Sequence, residues 1–316
     1  MGRNPLIGAS MTKTFDTLVE DIYSLMKTKN TAKWVDTEAE IDKFGEAMKD
    51  LMRKEFMPGE EKWASRSGLR LSSIGKPDLI QWFTSRRYTG EKIQPNVLIK
   101  FMYGHLIEEM LLLFTRLSGH TVTDEQKECK VGGVTGHMDC KIDGLTVDVK
   151  STTKFGILKF RDGNMAEKDD FGYVDQLKAY AHSEGERKFG WLAMDRDSGN
   201  LATLVYDLDD EDHPMHKFYS GDIEERIEHV KKSLESEDRP SLCASPEEDG
   251  KSGNLKLSTI CSYCKFKLHC WPNVRGFYTG SGPKFLTTVV KVPRNRKGIP
   301  CPEINLKKGE VNYDRI

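Results

Sequence analysis

The spacing of apolar residues divides the chain into helical and strand-like stretches. Over residues 96–119 apolar residues recur at helical spacing and the stretch ends in glycine, which predicts one long buried helix. Strand-like patterns follow at 121–127, 133–141 and 145–151. The middle of the chain therefore begins with a helix that leads into a group of strands.

Further elements extend this pattern in both directions. We predict a helix at FGYVDQLKAYAHSEG, two strands at FGWLAMD and LATLVYDL joined by a turn at 197–200, and a helix at DIEERIEHVKKSLES. This order predicts an α/β fold with a central mixed sheet flanked by helices. We divide the chain into a helical N-terminal region at 1–95, a core at 96–240, and a cysteine-containing segment with a basic tail at 241–316.

One hairpin in the core carries charges between small and apolar residues. In TGHMDCKIDGLTVDVKST, Asp148 stands between two valines, and period-2 alternation sends Asp148 and Lys150 to one face of the strand and the valines to the other. A short turn at 143–144 separates this strand from Asp139, so the two aspartates should lie on adjacent strands near the same end of the sheet. The sequence thus predicts two carboxylates and a lysine side by side.

Converging carboxylates are ligands that Mg²⁺ and Mn²⁺ prefer. One or two such ions at Asp139 and Asp148 would stabilise charge on a phosphate and lower the pKa of a bound water, while Lys150 would help place the nucleophile or offset negative charge. On the long helix, Glu108 could supply a third carboxylate, and Gly104 would let that helix approach the sheet closely. This set of side chains predicts phosphodiester hydrolysis.

Several short segments together resemble a known family. Gln176 and Tyr180 are four residues apart and share one helix face. With GHLIE, GHMD and DVK, their segment QLKAY resembles the PD-(D/E)xK nuclease superfamily, and within it the RecB-like branch of phage recombination exonucleases and iron–sulfur nucleases of CRISPR adaptation. The resemblance covers residues 96–184 and extends to the cysteines. It implies a restriction-endonuclease-like core and a metal-dependent DNA exonuclease of recombination, repair or phage DNA processing.

The resemblance implies a role for each residue of the hairpin and the long helix. Asp139 and Asp148 bind the metal, Glu108 stands at the helical ligand position, and Lys150 is the catalytic lysine. Taken alone, the Asp-Val-Lys triplet would be an ordinary ion pair and Glu108 part of a polar helix stripe. The motif segments together favour the catalytic interpretation.

The resemblance also concerns the DNA path and the identity of one ligand. Gln176 and Tyr180 match its QxxxY motif, which lines the DNA path. Some relatives carry histidine where this chain has Glu108, so His105 and His137 stay open as ligands. The alternative functions are a structure-specific endonuclease on the same fold, and a non-catalytic DNA-binding module that holds a metal by its cysteines.

A second candidate site lies near the C-terminus. CSYCKFKLHCWP contains Cys261, Cys264 and Cys270, whose C-x2-C-x5-C spacing lets a close pair chelate one ion while the third thiolate folds over it. Cys243 is the first choice for a fourth ligand. The other candidates are Cys129, Cys140, Cys301 and His269.

The resemblance implies a [4Fe–4S] cluster at this second site, closed by one cysteine from before the catalytic core. This chain has no cysteine before Cys129, and Pro77 stands near the corresponding position. A local four-cysteine site is therefore favoured, which an iron–sulfur cluster or Zn²⁺ would fill as a structural group. Either group would hold the basic tail, which comprises Lys284, Lys291, Arg294, Arg296 and Lys297, near the DNA.

Composition limits where DNA could bind. The net charge is −1 with 31% charged residues, so any polyanion-binding surface must be local. Over residues 62–100, eight Lys or Arg outnumber two carboxylates, which predicts either a surface that follows phosphates and stacks bases, or ordinary helix faces over a core. The residues concerned are Lys62, Arg66, Arg70, Lys76, Arg86, Arg87, Lys92 and Lys100, with the aromatic residues Trp63, Trp82, Phe83 and Tyr88.

DNA is the expected partner, with a single-strand-binding or recombination protein as a second. No apolar run is long enough to cross a bilayer, and the first residues lack the apolar core of a signal peptide. Seven cysteines in such a chain fit free thiols or metal ligands better than disulfides. We expect no membrane association and a cytoplasmic location, in a bacterium or a phage-infected host.

Overall fold

The structure is a computed structural model that describes residues 13–57, 68–217 and 221–306. Its α-helices are α1 (Leu18–Thr28), α2 (Thr37–Phe56), α3 (Asp78–Ser85), α4 (Pro95–Leu117), α5 (Ile157–Arg161), α6 (Tyr173–Ser183), α7 (Ile223–Glu235), α8 (Thr259–Tyr263) and α9 (Lys267–Cys270). Its strands are β1 (Val122–Thr123), β2 (Glu128–Val131), β3 (Val134–His137), β4 (Cys140–Ile142), β5 (Leu145–Thr152), β6 (Lys188–Asp195), β7 (Leu201–Asp207), β8 (Glu247–Glu248), β9 (Leu255–Lys256), β10 (Arg275–Thr279), β11 (Gly282–Thr288) and β12 (Glu303–Ile304).

A mixed five-stranded sheet lies at the centre, in the order β1-β4-β5-β6-β7. Strands β5 and β6 are parallel, because α5 and α6 form the crossover between them, and the other pairs are antiparallel. Asp143 and Gly144 both have positive φ and form the tight turn that joins β4 to β5. The predicted α/β class and mixed central sheet are confirmed.

Helices cover both faces of the central sheet. Residues of α1 and α4 pack with Val147, Val149 and Leu192 on one face. Residues of α6 and α7 pack with Phe189 and Trp191 on the other face. Because β6 sends alternate residues to these two clusters, the sheet is buried on both sides.

The strands before β5 are shorter than predicted. The stretch at 121–127 holds only β1, because Asp124 and Gln126 adopt positive φ and end the extended backbone. The stretch at 133–141 is split into β3 and β4 around Met138 and Asp139. Asp139 therefore lies in the break before β4, and its expected position within a strand is wrong.

Helix α4 has the predicted length, but it is buried only in its second half. Ile99 is 66% exposed, whereas Ile107 and Leu111 are almost fully buried. A Cβ added at Gly104 would meet nothing within 4 Å, so the predicted close approach of the helix to the sheet at this glycine is wrong. Among the described residues, no helix has the length and apolarity needed to span a bilayer.

The N-terminal helices and the aromatic residues of the basic stretch form part of the core. Leu18 and Ile22 of α1 pack against the central sheet. Trp82 and Phe83 of α3 are 6% and 2% exposed, which supports the core interpretation over base stacking for these two rings. Lys62, Trp63 and Arg66 lie outside the described residues. The domain boundaries at 95 and 240 stay predictions.

A second five-stranded sheet, which the sequence pattern did not predict, forms the C-terminal part in the order β12-β10-β11-β9-β8. Its strands are antiparallel. Lys284, assigned to a basic tail, lies in β11 and pairs with Asp249 at 2.7 Å. Residues 241–306 thus contain a folded sheet with short helices.

Candidate active site

Asp148 and Lys150 form an ion pair on the face of β5 that α6 covers. Lys150 Nζ lies 2.6 Å from Asp148 Oδ2, and the Asp148 side chain is only 2% exposed. The two valines beside Asp148 pack on the opposite face with α4. The predicted division of β5 into a charged and an apolar face is confirmed.

Asp139 lies next to this pair, although it is not in a strand. Its Oδ2 accepts a hydrogen bond of 2.9 Å from the Val149 N–H, which ties the break before β4 to β5. The pKa of Asp139 is raised well above its usual value, first by burial of the carboxyl group and then by the charge of Asp148. This like-charge effect requires the two carboxylates to be close together.

The third carboxylate comes from α4. The negative charge of Glu108 raises the pKa of both Asp139 and Asp148. His105 Nδ1 lies 3.7 Å from Glu108 Oε2, and the His105 side chain is 62% exposed. The other candidate ligand, His137, is exposed on β3. We call Asp139, Asp148, Lys150 and Glu108 the carboxylate–lysine site.

Helix α6 closes the carboxylate–lysine site. Gln176 Nε2 donates to Asp148 Oδ1 at 3.4 Å. The pKa of the buried Tyr180 hydroxyl is raised, first by burial and then by the charges of Asp148 and Asp139. A Cβ at Gly136 would lie 2.9 Å from Tyr180 Cε1, so only glycine lets the tyrosine ring pack this closely on β3. The structure brings both residues of the QxxxY pattern to the two aspartates.

Burial and charge act in opposite directions on the central pair. Burial raises the pKa of Asp148, and the ammonium group of Lys150 offsets this effect only in part. Burial would lower the pKa of Lys150, but the carboxylates of Asp148 and Asp139 outweigh burial and raise it above its ordinary value. These carboxylates therefore favour the protonated, positively charged form of Lys150.

One contributor was missed from the sequence. The Lys150 ammonium group lies 4.8 Å from the centre of the Tyr173 ring, within the range of a cation–π contact. Tyr173 begins α6 and stands three residues before Gln176, on the same helix face. Asp169 accepts hydrogen bonds from the N–H groups of Tyr173 and Val174, both at 2.9 Å, and so fixes the start of the helix. The i, i+3 spacing from Gln176 could have revealed Tyr173.

The atoms of the carboxylate–lysine site fit a cation, although no coordination shell is formed. Among the described residues, no group of three or more His, Cys, Asp or Glu is arranged to hold a metal ion. Asp148 Oδ2 is nevertheless buried beside the Lys150 ammonium group, 2.6 Å away, and has no further polar partner among the described residues. A divalent cation would satisfy this oxygen and relieve the repulsion among the three carboxylates. Asp139, Asp148 and Glu108 are the residues that could hold it.

The four cysteines singled out in the C-terminal third line one small cavity, together with Leu79 and Phe83 of α3. We call the cavity lined by Cys243, Cys261, Cys264 and Cys270 the cysteine cavity. Burial, and then the charges of the other three thiol groups, raises the pKa of Cys243 to about 12. The predicted metal centre itself is not formed in the part of the chain that the structure describes.

Two sulfur atoms of the cysteine cavity accept hydrogen bonds. Arg239 donates to Cys270 Sγ at 3.4 Å, and the Phe266 N–H donates to Cys264 Sγ at 3.4 Å. Donors of this kind surround thiolates that bind metals. The other candidate ligands lie elsewhere: Cys301 packs with Phe277 and Leu286, Cys129 and Cys140 belong to the two core clusters, and His269 contacts the Thr89 carbonyl group.

Comparison with known proteins gives structural matches only. No protein-family model and no curated protein matches the sequence. Among solved structures, the chain matches LHK-Exo in complex with dAMP at 13% identity and a TM-score of 0.35, over 56% of this chain and 95% of that chain. It matches SSO0001 at 14% identity and a TM-score of 0.35, over 72% of this chain and 95% of that chain. It matches an alkaline exonuclease (LHK-Exo) from Laribacter hongkongensis at 12% identity and a TM-score of 0.34, over 54% of this chain and 90% of that chain. TM-scores this low assign neither a family nor an activity to this chain.

Proposed function

We propose that this protein is a divalent-metal-dependent deoxyribonuclease that digests DNA from an end, as an exonuclease of recombination, repair or phage DNA processing. The observation that carries this proposal is the buried Asp148–Lys150 pair at 2.6 Å, with Asp139 tied to the same strand and with the charge of Glu108 acting on both aspartates. An ion pair that served stability alone would need one carboxylate, whereas three carboxylates gathered at one lysine repel one another unless a cation is bound.

Each residue of the carboxylate–lysine site has a part in this proposal. Asp139, Asp148 and Glu108 would hold Mg²⁺ or Mn²⁺, which supplies charge stabilisation and an activated water for phosphodiester hydrolysis. Lys150, protonated because of the neighbouring carboxylates, offsets negative charge that develops on the phosphate. Gln176 holds Asp148 in orientation through its hydrogen bond to Oδ1.

We further propose that the cysteine cavity holds a structural [4Fe–4S] cluster or Zn²⁺. The shared cavity and the N–H groups that point at two of its sulfur atoms support this assignment. All seven cysteines are free thiols. Free thiols fit a reducing compartment, so we propose a cytoplasmic location.

End-labelled linear DNA tests the nuclease proposal. Single-stranded and double-stranded linear DNA and a closed circle are incubated with Mg²⁺, with Mn²⁺ and with chelator. Asp148→Ala is the inactive control. We expect metal-dependent loss of the linear substrates while the circle is spared, and the label released then gives the direction of digestion.

The other outcomes separate the alternative functions. Cutting of the closed circle would identify an endonuclease on the same fold. DNA binding without cleavage under any metal would contradict the enzymatic proposal and favour a DNA-binding module. Cleavage that persists in Asp148→Ala would show that the activity belongs to another site or to a contaminant.

A further inference from the structure

A series of three aromatic rings runs outward from Lys150. The Tyr173 ring, 4.8 Å from Lys150 Nζ, is centred 5.6 Å from the Phe171 ring. The Phe171 ring is centred 6.0 Å from the ring of Tyr263, the last residue of α8. The series therefore connects the carboxylate–lysine site with the helix that carries Cys261.

Exposure of the rings increases along the series. Tyr173 is half-buried, Phe171 is 37% exposed and Tyr263 is 78% exposed. A tyrosine as exposed as Tyr263 contributes little to the core. Its ring nevertheless contacts the Phe171 ring, which contacts the Tyr173 ring beside Lys150. The outer rings are thus free to contact a ligand that approaches the carboxylate–lysine site.

The backbone that presents Phe171 is fixed. Gly172 packs so closely on Gly75 that a Cβ at Gly75 would lie 2.3 Å from the Gly172 carbonyl oxygen. The Asp169 carboxylate accepts hydrogen bonds from the N–H groups of Gly172 and Tyr173, at 2.8 Å and 2.9 Å. A ring held by such a turn loses little entropy when a base stacks on it.

Two lysines lie near the outer rings, one along the chain from Tyr263 and one across the contact between Gly75 and Gly172. Lys265 is exposed and follows Tyr263 by two residues. Lys76 follows Gly75, whose backbone packs on Gly172 beside Phe171, and loss of surrounding water and then the charge of Lys265 lower the pKa of Lys76. Single-stranded nucleic acid is bound by this combination of aromatic faces for bases and cations for phosphates.

We propose that Phe171 and Tyr263 form a stacking platform for the unpaired bases of a DNA single strand that leads to the Asp148–Lys150 pair, with Lys76 and Lys265 on its phosphates. This inference rests on the proposed function and adds a substrate preference to it. A blunt duplex hides its base faces, so it cannot use the platform. The protein therefore binds single-stranded DNA or single-stranded overhangs in preference to blunt duplex.

Fluorescence anisotropy in chelator tests the platform without cleavage. The probes are a labelled oligo(dT) of about 15 nucleotides, near the upper end of known single-strand site sizes, and a blunt hairpin duplex with as many phosphates. We expect Phe171→Ala and Tyr263→Ala each to weaken oligo(dT) binding about tenfold, the effect typical of losing one stacking ring. Duplex binding should stay unchanged. Tyr263→Phe should bind as the wild type, whereas Tyr263→Leu should bind as Tyr263→Ala.

Trp34→Ala is the matched control, because Trp34 is 67% exposed but lies beside Gly119, just after the end of α4. Oligo(dT) binding that is equal in Tyr263→Ala, Trp34→Ala and wild type would overturn the platform, as would absence of oligo(dT) binding by the wild type. Cleavage assays on the same proteins separate the two proposals. If Phe171→Ala and Tyr263→Ala weaken oligo(dT) binding but the wild type cleaves no DNA with any metal, only the nuclease proposal is refuted. If the wild type cleaves DNA but these variants bind oligo(dT) as it does, only the platform proposal is refuted.

Discussion

The carboxylate–lysine site and the cysteine cavity are built in different ways. Asp148 and Lys150 lie on β5, which is hydrogen-bonded to strands on both sides and covered by helices on both faces. Cys261 and Cys270 lie on helices of five and four residues, and Cys243 lies outside any helix or strand. Such short helices have little stability of their own.

This difference indicates which of the two sites the fold can maintain without a bound ligand. The strand ladder of the central sheet fixes Asp148 and Lys150, and the hydrogen bond from the Val149 N–H ties Asp139 to the same strand, so this site is preorganised before any ligand binds. The cysteine cavity lacks such a scaffold, and we expect a bound metal to stabilise the segments around it. The carboxylate–lysine site should therefore respond to mutation mainly in activity, and the cysteine cavity mainly in stability.

Cys264→Ser should have the largest effect on stability. It removes one proposed ligand, and structural zinc contributes about 10–16 kcal/mol of folding free energy in zinc-finger peptides, so even a partial loss would exceed the other effects predicted for this chain. We expect less bound metal and a lower Tm, measured by elemental analysis and thermal unfolding of anaerobically purified protein. A broad absorbance band in the violet would identify an iron–sulfur cluster, whereas a zinc protein would be colourless.

Cys301→Ser is the matched control for Cys264→Ser. Cys301 is 6% exposed and packs with Phe277 and Leu286, away from the cysteine cavity. Its replacement should change only packing, at a cost of about 1 kcal/mol, and should leave the metal content unchanged. Equal metal content in the wild type and both variants would show that the cysteine cavity holds no metal.

The hairpin could be predicted from sequence because its pattern is local. Period-2 alternation along β5 places Asp148 and Lys150 together whatever the rest of the chain does, and the Asp143–Gly144 turn follows from two residues that tolerate positive φ. The helical spacing of Gln176 and Tyr180 is equally local. Residues within one strand or one helix were therefore placed correctly.

Features that depend on distant partners could not be predicted in this way. The apolar first half of α4 looks like a core helix, yet no neighbour in the described chain covers Ile99. The C-terminal sheet consists of strands of two to seven residues, with pairings such as Lys256 with Leu286 across a long separation. Short polar strands carry almost no periodic signal, so only their long-range pairing defines them.

Lys150→Ala tests the expectation that the carboxylate–lysine site responds to mutation mainly in activity. It removes the positive charge that we propose to act on the substrate phosphate, and the loss of one electrostatic contact of this kind costs about 10²–10³-fold in rate. We expect cleavage of linear DNA to fall by this factor, while DNA binding measured in chelator stays close to that of the wild type. Full cleavage by Lys150→Ala would remove the catalytic assignment of this lysine.

Lys141→Ala is the matched control for Lys150→Ala. Lys141 lies on the neighbouring strand β4 and pairs with Glu184 at 2.9 Å and with Glu186 at 2.6 Å. Its loss also breaks a lysine–carboxylate contact of the same sheet. It should lower stability slightly and leave cleavage unchanged, so a similar loss of cleavage in both variants would point to general damage to the sheet.

Asp139→Asn should change stability only modestly, and the change should be a gain. In chelator, burial and the neighbouring carboxylates raise the pKa of Asp139 above its unfolded value. The stability linked to its proton is therefore complete below the unfolded pKa and is lost as pH rises through the raised pKa. Asparagine keeps an acceptor for the Val149 N–H without the charge, so at neutral pH we expect a gain of about 0.5–2 kcal/mol, measured by denaturant unfolding.

Two comparisons make the Asp139→Asn result specific. Asp195 ends β6 in the same sheet, but a hydrogen bond from Ser198 lowers its pKa, so its stability contribution is present above the unfolded pKa and is lost on acidification. Asp195→Asn should therefore lower stability at neutral pH, the opposite sign. Saturating Mg²⁺ should stabilise the wild type by about 2.7 kcal/mol at a hundredfold excess over Kd, but Asp139→Asn much less. Equal stabilisation of both proteins by Mg²⁺ would exclude Asp139 as a ligand, because removal of its charge would then have left the affinity for the ion unchanged.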